Sequence, residues 1–199
     1  MAIIVDKSQK KKDIALACKE LFVNHNMNDL TITRITQTAG IGKGTFYEYF
    51  ENKDEIIFEL VNLLMHEHNV KKEAKITSAK TTKEKIKIFY EFFYNEEDSD
   101  LRALYKDFIA ISLTAPQDEM VRFQTDCFEY YYCWVEQIIQ EGINNKEIHV
   151  QAKHLIKGLF AVGEGLFISS QATNTVVDLK NDINSYIDTI FDLITIKEK

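Results

Sequence analysis

Four residues just past a glycine turn have the types and spacing to read a nucleic acid: Lys43, Gly44, Thr45 and Tyr47. A threonine hydroxyl can bond a base edge while its methyl meets the methyl of thymine. Lysine and tyrosine reach bases or phosphates, and a glycine lets the backbone come close to a duplex. Gly42 and Tyr49 flank the set. Thr31, Thr33 and Arg34, one short helix earlier, are placed to hold the neighbouring phosphate backbone. Lys53 adds charge at the head of the next helix, where free N–H groups favour an anion. Gly42-Lys43-Gly44-Thr45 also resembles the end of a nucleotide-kinase phosphate loop, but Gln37 stands where that loop needs its earlier glycine, and no strand leads in.

Catalytic signatures are not written in the chain. There is no Gly-x-Ser-x-Gly elbow and no cysteine–histidine signature. The five histidines, His25, His66, His68, His149 and His154, include no i, i+4 pair. Neither a metal site nor a cofactor is expected.

These residues need helices to position them. Apolar positions recur at helical spacing over Lys7 to Asn24, and Thr31 caps a short helix through Thr38. Ala39-Gly40-Ile41 makes a tight turn in which Gly40 takes positive φ. A second short helix follows from about Gly42 to Tyr49, with Phe46 and Phe50 facing inward. Asn52 and Glu55 start a longer helix, which the pattern ends near Lys72, and Lys75 to Thr81 reads as a linker. Thr81 and Glu84 form another capping-box pattern. Helices then carry Ile86 to Phe93, Leu101 to Thr114, Glu119 to Glu141 (closed by Gly142), Val150 to Ser170 and Leu179 to Thr195. The expectation is an all-α chain of about nine helices. One proline and seven glycines in 199 residues suit long helices better than a turn-rich sandwich.

The formal net charge of -7 argues against a nucleic-acid binder only until it is divided along the chain. Residues 1–53 hold eight basic residues against six acids, and the rest holds sixteen against twenty-five. A binding module on an acidic body is expected. The four lysines from Lys7 to Lys12 read either as a frayed terminus or as a phosphate-contacting arm. No apolar run approaches the roughly 18 residues of a membrane span, and no signal-peptide core is present, so a cytoplasmic protein is expected. Cys18, Cys127 and Cys133 read as buried thiols.

The run from Thr31 to Ile56 (TITRITQTAGIGKGTFYEYFENKDEI) resembles the DNA-binding segment of the tetracycline-repressor (TetR) family. That family pattern is a threonine-capped helix, an Ala-Gly-Val/Ile turn, a small polar residue, Gly-Thr, an aliphatic or aromatic residue, Tyr, then Phe and Lys-Asp/Glu. The likeness covers about 50 residues. Gly42, Thr36 and Tyr49 depart from the usual Ser, Ala and His. The resemblance implies a homodimeric repressor: a three-helix helix-turn-helix domain over residues 1–52 for double-stranded, palindromic operator DNA, and a helical ligand-binding and dimerisation domain over 53–199.

Two aromatic clusters, Phe89 to Tyr94 and Phe128 to Trp134, mark the body. Part must be core; the rest suits an apolar pocket with tyrosine handles for a small lipophilic effector. The candidate lining is Phe89, Phe92, Phe93, Tyr105, Phe128, Tyr131, Tyr132, Trp134, Phe160 and Phe167. Glu164 would favour a cation if it faced the pocket. Gly158, Ala161 and Gly165 form a small-residue stripe. The resemblance points to a dimer face of the last two helices, made of that stripe with Leu155, Leu159, Leu166, Ile183, Tyr186, Ile187, Ile190 and Ile194. The rival readings are a helical enzyme and a helical interaction or ligand-binding protein without DNA function.

Overall fold

A computed structural model describes residues 6–197. Among these the regular structure is helical apart from one isolated antiparallel bridge, Ile148 with Thr195. The expected helix over Lys7 to Asn24 is divided at Cys18 into α1 (Lys7–Ala17) and α2 (Lys19–Asn24). Then come α3 (Ile32–Ala39), α4 (Lys43–Tyr49), α5 (Lys53–Ser78), α6 (Thr82–Tyr90), α7 (Ser99–Thr114), α8 (Asp118–Asn144), α9 (Ile156–Ala172) and α10 (Leu179–Ile194). With the divided first helix taken as one, this is the expected nine. No described helix is long and apolar enough to cross a membrane.

The chain divides into two compact units. The first runs through Asn69 and takes in Asp100–Met120; the second holds Val70–Ser99 and the chain from Val121. Helix α5 therefore contributes to both.

In the first unit, Asp6 caps α1 by accepting from the N–H groups of Ser8 and Gln9, so the lysine-rich start is helical rather than frayed. Ile14, Phe22, Ile35, Phe46, Phe50, Ile56, Leu60 and Leu104 are buried together with Cys18, whose thiol faces the carbonyl of Ile35 at 3.6 Å. Phe58 meets Phe108 at 5.9 Å between ring centroids.

In the second unit, α10 packs on α6 and α9. Ile86, Tyr90, Val135, Ile139, Leu159, Ile183, Ile187 and Phe191 fill the space between helices. Thr81 and Glu84 complete the expected capping box at the start of α6. Beside them the N–H and hydroxyl of the buried Thr82 both donate to the Glu147 carboxylate, each at 2.8 Å. Lys87 bonds Asp188 at 2.7 Å, joining α6 to α10.

Several boundaries differ from the sequence pattern. Helix α5 continues six residues past Lys72, because Ile76 carries its buried face onward. Gly142 does not close α8 but lies inside it; a Cβ there would sit 2.3 Å from the Thr82 hydroxyl oxygen. Beyond α8, Lys146 takes positive φ (60°) and the Glu147 N–H returns to the Gly142 carbonyl at 2.9 Å. Cys18 is buried and Cys127 half-buried, and burial pushes both thiols up to about 11. Cys133 is exposed, contrary to the expectation of three buried thiols, since the outer face of α8 needs no apolar cover at that position.

A second close-approach glycine is Gly163. A Cβ there would fall 2.2 Å from a Tyr90 ring carbon and 3.0 Å from one of Phe93, whereas a Cβ at Gly158 would meet nothing. Gly163→Ala should therefore cost about 1–3 kcal/mol by overpacking, while Gly158→Ala should cost nothing in the single chain. Urea denaturation of both variants checks this, and equal midpoints would contradict it.

Candidate functional site

Helix α3 begins at Thr31, whose hydroxyl accepts from the Arg34 N–H at 3.3 Å. It ends at Gly40, which takes φ +66°, the left-handed conformation that a side chain resists. The Gly40 and Ile41 N–H groups return to the carbonyls of Gln37 and Thr36, closing the turn. Helix α4 restarts at Gly42 without a side-chain cap. Its seven residues are too few for a stable helix in water, so packing must hold it. Phe46 and Phe50 supply that packing: both rings are buried, 5.4 Å apart.

The opposite face of α4 is open. Lys43, Gly44 and Tyr47 are exposed, Tyr47 to 58%, and Thr45 and Tyr49 are half-buried. A Cβ at Gly42 or Gly44 would meet nothing within the chain, so the fold itself does not require either glycine. Thr33 and Arg34 are exposed on α3, with Arg34 donating to the His25 ring at 2.6 Å. Thr36 is buried where alanine is usual, and its hydroxyl donates to the Thr33 carbonyl at 3.0 Å.

Lys53 opens α5. Its ammonium donates to the carbonyls of Met27, Asn28 and Leu30 at 3.0, 3.2 and 3.4 Å. An ammonium has three donors, and Lys53 uses them to tie the turn ahead of α3. Lys11 is likewise engaged, paired with Glu55 and lying over the Phe50 ring at 5.2 Å. Burial works against the Glu55 charge, yet Lys11 and the Glu51 N–H hold its carboxyl below the usual range.

The candidate effector residues divide. Tyr105 belongs to the first unit. In the second, Phe93 and Phe167 are buried core, 5.5 Å apart, and Phe128 meets Phe160 at 5.5 Å. Tyr132 and Glu164 are half-buried. Burial drives the Tyr90 phenol far up, Tyr186 and Glu164 adding to it, and its oxygen has no hydrogen-bond partner among the described residues.

Phe89, Phe92, Tyr131 and Trp134 come together around a residue the sequence reading did not select. The Lys72 ammonium lies 4.5 Å from the Phe89 ring centre, 5.2 Å from Tyr131, 5.7 Å from Trp134 and 6.0 Å from Phe92. The residue is only 5% exposed. Its signal in the sequence was its phase: Val61, Leu64, His68, Lys72 and Ile76 lie on one stripe of α5 once the helix is extended.

The candidate dimer residues also divide. Leu159, Ile183, Ile187 and Ile194 are buried in this chain's own core, so their side chains are not available to a partner. Gly158, Ala161 and Gly165 are exposed, and Leu155, Leu166, Tyr186 and Ile190 half-exposed.

Burial pushes the Lys72 ammonium down from 10.5 to about 7, against the pull of Asp98 and Glu91. Between those values the unfolded chain holds the extra proton, so stability rises with pH, and the cost of burying the charge is fully present below about pH 7. Lys72→Met should thus stabilise the protein by a few kcal/mol at neutral pH or below, on the order expected from such a shift. The gain should shrink toward pH 10. Urea midpoints across that range check this, and a pH-independent gain would contradict it.

Residues 14–60 match the family model of bacterial regulatory proteins of the tetR family. The chain is 29% identical to the uncharacterized HTH-type transcriptional regulator YvdT of Bacillus subtilis over 143 residues, 71% of each chain. Its fold matches a TetR-family regulator from Cytophaga hutchinsonii with TM-score 0.81 at 17% identity, covering 98% of this chain and 100% of that one. It also matches a regulator from Saccharomonospora viridis solved in complex with choline, with TM-score 0.76 at 16% identity over 96% and 100%. With its glycine-turn helix pair and matched segment, the chain carries over residues 14–60 the DNA-binding segment of the TetR family of transcriptional regulators.

Proposed function

We propose that this regulator is a repressor that holds a palindromic operator with α4 and releases it when a small lipophilic ligand, apolar or cationic, binds the second unit. The observation that carries the reading is the two-sidedness of α4. Phe46 and Phe50 bury one face, while Lys43, Gly44, Thr45 and Tyr47 leave the other small, polar and unobstructed. Such a face fits the major groove. Thr31, Thr33 and Arg34 would contact flanking phosphates, with Gly42 and Tyr49 at the two ends of the reading helix. As a regulator of this family the protein works by binding rather than by catalysis.

Two copies would pair through α9 and α10, using the exposed small stripe with Leu155, Leu166, Tyr186 and Ile190, and so set the spacing of two reading helices. A monomeric mass in sedimentation equilibrium would remove that pairing. Ligand would favour a state with a different spacing, and α5, which contributes to both units, would act as the lever; DNA affinity falls by the ligand's preference for that state. The S. viridis regulator of the same fold carries choline, which supports keeping cations among the candidate ligands. The protein would act in the cytoplasm, where its DNA lies.

Replacing Lys43, Thr45 and Tyr47 together with alanine should lower affinity for a duplex from upstream of the protein's own gene by ~100-fold or more. Far-UV circular dichroism should not change. Anisotropy titration at two salt concentrations, beside a scrambled duplex, makes the measurement. Wild-type binding that is equal for both duplexes, or unaltered by the substitutions, would refute the reading.

A further inference from the structure

The four rings around Lys72 form a box rather than a loose cluster. Tyr131 and Trp134 lie parallel within 11°, one helical turn apart on α8. Phe89 stands across both, at 75° and 85°. Phe92 adds a fourth ring. Aromatic faces carry negative potential and attract a cation placed over them. The two carboxylates whose field reaches the site, Asp98 and Glu91, act in the same direction. The nearby Lys75 is bonded to Glu91 at 2.9 Å and offsets part of that carboxylate's field. The site is built for positive charge.

Lys72 fits it poorly. The residue is 5% exposed and its ammonium lies among ring faces, which are poor hydrogen-bond acceptors, so its three N–H donors give up most of their hydration there. A quaternary ammonium has no such donors and surrenders nothing comparable on entry. The same box therefore suits an alkylated cation better than the lysine it holds.

We propose that the Phe89–Phe92–Tyr131–Trp134 box is a binding site for a quaternary ammonium group, and that Lys72 is a tethered occupant the ligand must expel. Lys72 then acts as an internal competitor: its presence raises the ligand concentration needed to fill the site. The proposal rests on the reading of the second unit as the effector-binding part, and it names the ligand class. The negative ring faces and the field of Asp98 and Glu91 disfavour an anionic ligand there.

Trp134 is the only tryptophan in the chain, so its emission reports the site directly. The probe is tetramethylammonium, with tert-butanol as a neutral counterpart of similar size, titrated against the full chain without DNA. Lys72→Ala should bind tetramethylammonium about tenfold or more tightly than wild type, in line with a desolvated cation–π interaction. Tert-butanol should give no saturable change. A Lys72→Ala protein that melts cooperatively yet shows no response to tetramethylammonium would overturn the proposal. So would an equal response to tert-butanol, which would mark a merely apolar hole. If Lys72→Ala does not fold, the wild-type titration decides: weak, saturable quenching by the cation alone supports the site, and its absence overturns it. Cation binding that leaves operator affinity unchanged would uphold the box and remove only the effector reading.

Discussion

Helix α4 is too short to hold itself together in water, and the burial of Phe46 and Phe50 is what keeps it a helix. The rest of the reading head follows from that constraint. Because one face is fixed by packing, the other can be chosen for what it touches, which is why a glycine and a threonine, Gly44 and Thr45, stand where helix propensity alone would favour alanine or leucine. The turn at Gly40 sets where the helix restarts, and Lys53 fixes the segment ahead of α3 from the other side.

The second unit shows the opposite use of aromatic residues. In the first unit two buried phenylalanines face each other in an apolar core. In the second, rings of the same kind enclose a lysine ammonium that burial destabilises. A chain selected only for stability would fill that space with an apolar side chain. Retaining a charge there at a cost in stability is the pattern expected where a site serves binding. Gly163 contributes at a distance from the box, since its missing side chain is what lets α9 lie against Tyr90 and Phe93.

Much of this was legible in the sequence because it is local. The Thr31 cap, the Gly40 turn and the Thr81–Glu84 capping box each depend on residues within five positions of one another, and all three formed as their spacing required. The inward face of α4 was legible for the same reason. What escaped depends on contacts between distant segments. Gly142 reads as a helix end until Thr82 arrives from sixty residues earlier to occupy the place of its side chain. Lys53 reads as free charge until the 27–30 carbonyls are beside it. Lys72 was missed because α5 was ended too early and because a lysine on an apolar stripe is ordinarily assigned to solvent. Four of the residues given to a dimer face proved to be single-chain core, since apolar periodicity on a helix marks a buried face without saying what buries it.

The most direct test of the central claim, that α4 reads the major groove, is methylation interference on the upstream duplex. Methylation at guanine N7 places a group in the major groove alone. Two clusters of interfering positions about one helical turn apart, abolished with binding itself when Lys43, Thr45 and Tyr47 are replaced, are the predicted result. Tight, sequence-specific binding with no N7 interference at any guanine of the bound site, and with minor-groove adenine methylation interfering instead, would contradict it.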